Sequence, residues 1–310
     1  MRVLLAGATG TIGKALVSHL ISAGHEVIGL TRSEPGLQRL HAAGAEPVRA
    51  SLMDADELLT ALDGYTADAA IHQATSITGT PLFHRALYAT DALRDKGTTN
   101  LIQAAQLVGA RRFVTQSFFL GYGYRDHGTE LITEDRPFAQ LTGHGPTDRH
   151  MRALRSNEDQ VLGTPGIDGI ALRYGMFYGP EPLTRQLADQ TKSRRLPVPR
   201  PSGVTSLIHI HDAAAAAVAA LERGRPGQAY NIVDDHPVAF SEYIEALAEA
   251  SGAPSPRSVP AWLLAAFPYM HGLMVTTRIR LSNARAKHEL GWKPVYPSIH
   301  EGLTTLWDTD

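Results

Sequence analysis

The stretch GATGTIG, residues 7–13, decides the fold, because it follows the apolar run RVLLA and opens the helical pattern KALVSHLISAG. Gly7 permits a tight turn, Gly10 lets the backbone approach a diphosphate, and Gly13 lets the helix pack closely on the strand. The amino end of that helix favours negative charge. A turn without a ligand would not need three glycines at this spacing. The loop predicts a dinucleotide site formed by Gly7, Thr9, Gly10, Thr11, Ile12 and Gly13.

The first half of the chain alternates short apolar runs with longer helical stretches. HEVIGLT, DAAIHQA and RRFVTQS are examples of the runs, and the helical stretches between such runs close on glycine. This alternation predicts an α/β protein with a doubly wound parallel sheet of the Rossmann type. Ligands of such sheets bind at the carboxyl ends of the strands. After residue 175 the pattern loosens, with a proline-rich loop expected at 196–203 and a broken apolar lid or subdomain helix at 258–281.

Composition narrows the class of protein further. The 310 residues carry a formal net charge of −2 with acids and bases interspersed, so neither a nucleic-acid-binding face nor a basic membrane face is expected. The chain has no cysteine, which removes disulfides, thiolate nucleophiles and thiolate metal ligands together. The opening residues lack the apolar run of a signal peptide, and no stretch has 18 uninterrupted apolar residues. We expect a cytoplasmic protein with small-molecule partners.

The end of the second predicted strand bears on the choice of cofactor. A carboxylate there would accept hydrogen bonds from the ribose hydroxyls of NADH. The strand instead ends in Thr31, Arg32 and Ser33. A guanidinium and two hydroxyls suit a 2′-phosphate better than a free diol, so the sequence favours NADPH/NADP⁺. The alternative for Arg32 is a solvated arginine at a strand end.

With these features the chain resembles the extended short-chain dehydrogenases/reductases of the epimerase/dehydratase type, nearly from end to end. The resemblance is carried, in order, by GTTNLIQAA, RRFVTQSFFLGYG, ALRYGMFYGP, SLIHIHDAAAAAVAAL, QAYNIVDD and SNARAKHELGWKP. It implies a Rossmann domain of residues 1–175, completed by 205–233, and a smaller C-terminal substrate-binding subdomain of residues 176–204 and 234–310. It also places further residues beside the cofactor: Ser51, Leu52, Gln73, Ala74, Thr75, Gln116, Tyr174, Gly175 and Phe177.

The resemblance breaks at the catalytic residues. Reductases and epimerases of this family use a serine or threonine, a tyrosine, and a lysine four residues later that lowers the tyrosine's pKa. Aligning the helix TDRHMRALRSNE on Glu158 puts His150 at the tyrosine position and Leu154 at the lysine position. Counting back from GYG puts Phe118 at the usual hydroxyl, with Ser117 one place before it. Ser117 and His150 are therefore the candidate catalytic residues. His150 is equally well interpreted as a helix residue that only occupies the position.

Losing a general acid costs about two to four powers of ten in rate, which is less than orientation of a hydride donor can supply. A ketone polarised by its own neighbouring phenol would need less help. Atypical members of the family that lack the pair include a ketoreductase acting on angucyclinones. Aromatic side chains could form walls for such a flat substrate, although core packing is an equal alternative for each: Phe118, Phe119, Tyr122, Trp262 and Phe267.

These observations predict an NADPH-dependent ketoreductase acting on a flat, apolar, hydroxylated ketone such as an aromatic polyketide or a quinone, as a monomer or homodimer. Two alternatives stay open. One is a catalytically silent protein that binds or senses NADPH, which the loss of tyrosine and lysine favours. The other is a nucleotide-sugar epimerase, for which Arg278 and Arg280 could bind a diphosphate but which the apolar lid fits poorly.

Two further motifs are given structural interpretations. HIHD, residues 209–212, resembles a metal-binding tripeptide, but we expect His209 and His211 to alternate along a strand and Asp212 to cap the following alanine helix. No metal site is predicted. Arg149, Arg152 and Arg155 are spaced by three, which is typical of a solvated helix face; an anionic substrate is the lesser alternative.

Overall fold

The computed structural model describes residues 1–77, 79–143 and 145–308. Its strands are β1 (Arg2–Ala6), β2 (Glu26–Thr31), β3 (Glu46–Arg49), β4 (Ala69–His72), β5 (Arg112–Phe118), β6 (Asp168–Tyr174), β7 (Met176–Tyr178), β8 (Val198–Arg200), β9 (Val204–Thr205), β10 (Leu207–His209), β11 (Gln228–Ile232), β12 (Val238–Ala239) and β13 (Ser258–Pro260). Its α-helices are α1 (Thr11–Ser22), α2 (Glu34–Ala42), α3 (Ala55–Ala61), α4 (Tyr88–Ala92), α5 (Thr98–Leu107), α6 (Pro146–Gly163), α7 (Pro182–Lys192), α8 (Ile210–Arg223), α9 (Phe240–Ala250), α10 (Pro268–His271), α11 (Ala284–Glu289) and α12 (Ile299–Gly302).

The predicted Rossmann-type sheet is confirmed. Seven parallel strands lie in the order β11-β6-β5-β4-β1-β2-β3. The order reverses direction between β1 and β4, so the carboxyl ends of these strands flank a crevice at the end of the glycine loop. Residues that follow β1, β4, β5 and β6 are consequently brought to one edge of the sheet, although the chain separates them by more than a hundred positions.

Each face of the sheet is covered by helices, because successive side chains of a strand point to opposite faces. Val3 and Leu5 of β1 belong to a core with α1 and α8, whose alanine run packs closely. Leu4 and Ala6 belong to a second core with α3 and α5. Caps fix the helix starts: Ser33 accepts from the amide of Gly36, Asp54 from that of Glu57, and the Glu181 carboxylate from those of Leu183 and Thr184.

The later part of the chain builds a separate core against the carboxyl edge. Segment 258–281 is broken, as expected, into a 3₁₀-helix (Ala261–Ala266), α10 and a π-helical turn (Gly272–Thr276). Tyr269, Leu273 and Met274 from it pack with Phe119 and Leu120 after β5. The prediction of a loop over residues 196–203 is wrong in part, because residues 198–200 form β8, which pairs in parallel with β13. The division of the chain at residue 175 stays a prediction. In the described ranges, no helix is long and apolar enough to span a membrane.

Candidate active site

The glycine loop has the close contacts that its sequence predicts. Gly7 has φ +85°, and a Cβ there would lie 2.6 Å from the amide nitrogen of Ala74. A Cβ on Gly13 would lie 2.0 Å from the carbonyl oxygen of Gly7. Gly10 is the residue before α1, and its amide donates to the Gly7 carbonyl at 2.9 Å. Because backbone atoms leave no room for side chains at 7 and 13, the loop is held tightly against the end of β4, with the amino end of α1 at its rim.

The segment after β2 is ordered by its own side chains. Thr31 is buried, and Ser33 caps α2. Arg32 is exposed and makes no ion pair with any described residue. After the neighbouring strand β3, Leu52 is buried and its carbonyl accepts from Asn100 Nδ2 at 2.7 Å, while Ser51 Oγ accepts from the amide of Met53. These predicted cofactor residues therefore lie at the ends of adjacent strands, with the Arg32 guanidinium open to a ligand.

Polar side chains at the ends of β4, β5 and β6 are buried with atoms left unpaired. Gln73 Nε2 donates to the Tyr174 hydroxyl at 3.2 Å, and the Tyr174 ring lies 5.2 Å from that of Phe177. In contrast, Gln73 Oε1, Gln116 Oε1 and Ser117 Oγ have no hydrogen-bond partner. Buried polar atoms are normally paired, so unpaired ones at a sheet edge indicate a place where a ligand binds. Together with the glycine loop, these atoms fit a nicotinamide dinucleotide.

Helix α6 carries the positions where the family's acid and lysine would stand. His150 is 1% exposed, and Leu154, one turn later, is equally buried. His150 Nδ1 lies 2.8 Å from Asp91 Oδ2, and its Nε2 lies 3.0 Å from His84 Nδ1. The predicted catalytic histidine is thus the middle of a chain Asp91–His150–His84, whose outer member is only partly buried. The chain lies near the strand edge, because Thr90 beside Asp91 accepts from the amide of Ser76 at 3.0 Å.

Aromatic rings enclose this histidine pair. Tyr88 and Tyr124 lie 6.2 and 6.5 Å from the His150 ring, and Tyr269 lies 5.5 Å from His84 in an edge-on contact. Burial lowers the pKa of His84, and the neighbouring His150 lowers it further. Burial raises the pKa of Tyr124 well above its usual range and that of Tyr269 to about 12. Within this cluster His84 is therefore a stronger acid than either phenol.

Arg94 lies in the π-helical turn Leu93–Gly97, at the start of α5. It is 7% exposed, and its guanidinium carbon lies 5.9 Å from the centroid of the Phe118 ring. Its Nε is buried without a partner, and its guanidinium makes no hydrogen bond or ion pair with a described residue. The prediction from the sequence, which stays a prediction, puts Phe118 at the position of the family's hydroxyl; the Arg94 cation lies against this ring. Ser117, one residue earlier, is fully buried.

The predicted aromatic walls divide into two groups. Phe119 and Tyr122 are fully buried, and the Tyr122 hydroxyl donates to Asn231 Oδ1 and accepts from Arg173, each at 2.9 Å. The core-packing alternative describes both residues. Trp262 and Phe267 are 70% and 38% exposed. The Phe267 ring lies 5.8 Å from that of Phe83, so the 258–281 segment meets the segment before α4 in an exposed aromatic rim.

The expectations for HIHD are wrong in two respects. His209 ends β10 and His211 lies in α8, so the two residues do not alternate along one strand; their rings stack at 5.4 Å. His209, not Asp212, caps α8, through its Nδ1 and the amide of His211. The Asp212 carboxylate instead accepts from the amides of Val295 and Tyr296, which ties down the carboxyl-terminal segment. Residues 1–77, 79–143 and 145–308 hold no group of three metal-ligating side chains.

The arginine stripe of α6 is engaged with its neighbours. Arg149 stacks on the Tyr88 ring at 3.9 Å and lies 3.6 Å from Asp91. Arg152 and Arg155 donate to the carbonyls of Gly143 and Ala139. The stripe therefore holds the preceding loop onto the helix, and only Arg149 approaches the histidine chain.

Three site residues went unrecognised in the sequence: His84, Asp91 and Arg94. They lie 66, 59 and 56 positions from His150, on a short 3₁₀-helix (His84–Leu87), α4 and the π-helical turn. The sequence offers one signal for them, an acid and an arginine within a stretch of helical pattern. Many exposed helices carry the same two residue types. Only the packing of α4 against α6 reveals their connection.

Comparisons with known proteins agree with this geometry. The chain belongs to the NAD dependent epimerase/dehydratase family, which matches residues 3–233. It is 34% identical to a 3-diazoavenalumate denitrifying reductase of a Streptomyces species, over 98% of this chain and 99% of that protein. It is 27% identical to a 4-hydroxy-2-methyl-3-oxo-4-farnesyl-3,4-dihydroquinoline-1-oxide ketoreductase of Stigmatella aurantiaca, over 81% and 74% of the two chains.

Among solved structures, the UDP-glucose 4-epimerase of Thermus thermophilus in complex with NAD superposes with a TM-score of 0.79. It is 23% identical, and the match covers 99% of this chain and 97% of that one. This likeness shows the shared fold. The reductase relatives support an NAD(P)-dependent reductase acting on a small molecule.

Proposed function

We propose that the protein is an NADPH-dependent ketoreductase that acts on a flat, apolar, hydroxylated ketone, such as an aromatic polyketide or a quinone, as in antibiotic tailoring. The observation that carries the proposal is the pairing of an exposed aromatic rim, Phe83 and Phe267, with a histidine chain that occupies the family's acid position. The rim gives a planar apolar substrate a surface to stack on, and the histidines supply a titratable group beneath it.

The dinucleotide would be held by the glycine loop and by the unpaired polar atoms at the ends of β4 and β5, and when bound it would supply the hydride. Arg32 supports NADPH over NADH, because its exposed guanidinium stands where a carboxylate would bind the ribose diol. In contrast, the Ser33 hydroxyl is already used in capping α2. Replacing Arg32 with glutamate should weaken binding of NADP⁺ and spare that of NAD⁺.

Protonation of the product oxygen is assigned to the chain Asp91–His150–His84. The Asp91 carboxylate accepts from His150 Nδ1–H, His150 Nε2 accepts from His84 Nδ1–H, and the outer nitrogen of protonated His84 is left to donate. Because His84 is partly exposed, it can be reprotonated from solvent. Ser117 has an unpaired hydroxyl, but burial in the sheet gives it a role in positioning the dinucleotide rather than in proton transfer.

The test is consumption of NADPH with a panel of aromatic ketones and quinones. Reduction with NADPH deuterated at C4 should place deuterium on the carbinol carbon. His150→Phe and His84→Gln should lower turnover by about two to four powers of ten if the chain donates the proton. Unchanged turnover in both variants would remove the histidines as the acid. Tight NADPH binding without consumption in any assay would instead support the silent sensing protein.

A second candidate reaction is hydride transfer to a diazo-substituted aromatic carbon, favoured by the 34% identical denitrifying reductase. In this step a C–H bond forms, the C–N bond breaks, and dinitrogen leaves with the bonding electron pair. The enzyme does not have to protonate an oxygen, so this reaction does not need the family's tyrosine and lysine. Release of N₂ and one deuterium on the ring carbon would identify this reaction. His84→Gln should then leave turnover unchanged, which separates it from ketone reduction.

A further inference from the structure

Arg94 is a buried charged side chain whose guanidinium has no hydrogen-bond or ion-pair partner among residues 1–77, 79–143 and 145–308. Arginine is almost never fully buried unless it is paired, since an unpaired buried charge costs several kcal/mol. Its Nε has no partner, and no described residue accepts a hydrogen bond from the guanidinium. Asp91 lies one helical turn earlier and adds electrostatic attraction, but it forms no ion pair with Arg94: its Oδ2 is engaged by His150 and Arg149, and its Oδ1 has no hydrogen-bond partner among the described residues. Burial correspondingly lowers the pKa of Arg94.

The location of this charge points to a ligand. Arg94 lies against Phe118 at the carboxyl end of β5, where the crevice of a parallel sheet takes its ligands. Tyr124 and Tyr269 interact with it electrostatically, and both also contact the histidine pair. His72, whose Nε2 lies 3.3 Å from the carbonyl oxygen of Leu93, stays neutral because burial lowers its pKa to about 4. Arg94 is therefore a buried positive charge at the strand end that shares two tyrosine neighbours with the histidine pair.

We propose that Arg94 binds an anionic oxygen of the aromatic substrate, namely a phenolate or the alkoxide that forms as hydride adds to a ketone. This inference deepens the proposed function and rests on it for the substrate class. As hydride reaches the carbonyl carbon, the C=O π pair becomes a lone pair on oxygen, and the guanidinium neutralises that charge. The N–H bond of protonated His84 then breaks and the O–H bond of the alcohol forms. Ketone, hydride and one proton together give the alcohol.

This arrangement explains how the site can dispense with tyrosine and lysine. In the family, the tyrosine gives its proton to the oxygen while the lysine holds the tyrosine's pKa down. Here the charge stabilisation and the proton come from different side chains, Arg94 and His84. A guanidinium is always charged near neutral pH, so it would also hold a phenol neighbouring the ketone as its phenolate.

The experiment uses 4-nitrophenol as a probe, bound to the protein saturated with NADP⁺. Its phenolate has a distinct absorption spectrum, so the pH at which the bound probe ionises can be read directly, without turnover. We expect the bound probe to ionise at lower pH than the free one. Arg94→Met should weaken phenolate binding by about 10- to 100-fold, and Arg94→Lys should restore part of it. Binding of 4-nitrotoluene, which has no ionisable oxygen, should change little.

Arg195→Met provides the matched control, because Arg195 is an exposed arginine on the segment after α7. It should leave the ionisation of the probe unchanged. If Arg94→Met weakens NADP⁺ binding and leaves the probe's ionisation unaltered, Arg94 belongs to the dinucleotide site and the proposal is overturned. If the probe's ionisation depends on Arg94 but no ketone is reduced, the anion site stands and the proposed ketone reduction fails.

Discussion

Replacing Arg94 with methionine is expected to stabilise the protein in the absence of ligands. Methionine keeps most of the side chain's apolar volume against Phe118 and removes the unpaired charge. Asp91 keeps its ion-pair neighbours after the change, because His150 and Arg149 lie 2.8 and 3.6 Å from its Oδ2, while its Oδ1 accepts no hydrogen bond from Arg94 in the native protein. Relief of an unsatisfied buried polar group is worth about 1–3 kcal/mol. For 310 residues, an unfolding entropy of about 2.1 cal/mol/K per residue turns this into a Tm rise of about 1.5–5 °C.

The assay is urea unfolding followed by circular dichroism, with calorimetry as a second measure of Tm. Arg195→Met should leave the midpoint unchanged, which controls for loss of a cationic side chain in general. A drop of more than about 1 kcal/mol in Arg94→Met would refute the reasoning, since it would mean that the guanidinium makes stabilising contacts. If Arg94 belongs to a ligand site, Arg94→Met should gain stability and lose phenolate binding together. Residues that bind ligands often lower the stability of the unliganded protein.

Three further changes test other parts of the structure. Gly13→Ala should abolish dinucleotide binding, measured by fluorescence titration, because its Cβ would lie 2.0 Å from the Gly7 carbonyl oxygen. Burial raises the pKa of Asp234 to about 8. The folded state therefore binds a proton that the unfolded state has released, and the free energy of unfolding falls as pH rises from about 4 to 8. Asp234→Asn should be about 4 kcal/mol more stable than the native protein at pH 7 and about equal to it near pH 4; the same difference at both pH values would contradict this. Glu158→Ala should cost about 3–5 kcal/mol in urea unfolding, because it leaves Arg173, now 2.7 Å from the carboxylate, buried without its counter-ion.

The sheet and the glycine loop could be predicted because their signals are local. Apolar runs separated by helical stretches give the strands, and Gly7 and Gly13 stand where backbone atoms exclude any side chain. The capping of α8 could not be predicted in the same way. Whether His209 or Asp212 caps the helix depends on where β10 ends. In the structure the Asp212 carboxylate accepts from the amides of Val295 and Tyr296 instead. Because α8 starts at Ile210, His209 is the capping residue and the Asp212 carboxylate is free to bind the later segment.

The contacts of the candidate site were even harder to predict from the sequence than the cap of α8. Alignment on Glu158 placed His150 at the acid position, and the structure gives it a buried place on α6 with both ring nitrogens engaged. Its partners come from Asp91 and His84, which no periodicity connects to α6. The sequence signal of Arg94, an arginine in a helical stretch, does not distinguish it, because such an arginine is usually exposed. Its significance comes from burial without a partner, which only three-dimensional packing reveals.

Ketone reduction and loss of dinitrogen make different demands on this site, and Arg94 and His84 separate them. An alkoxide needs both a cation nearby and a proton, so it uses the guanidinium and the histidine chain together. A diazo carbon that bears a neighbouring phenolate needs the guanidinium to hold that oxygen, but the departing dinitrogen takes no proton. The Arg94→Met variant should therefore weaken either reaction, whereas His84→Gln should slow only the first. Because one substitution tests the shared step and the other tests the step that differs, the two variants together assign the electrophile even when the natural substrate is unknown.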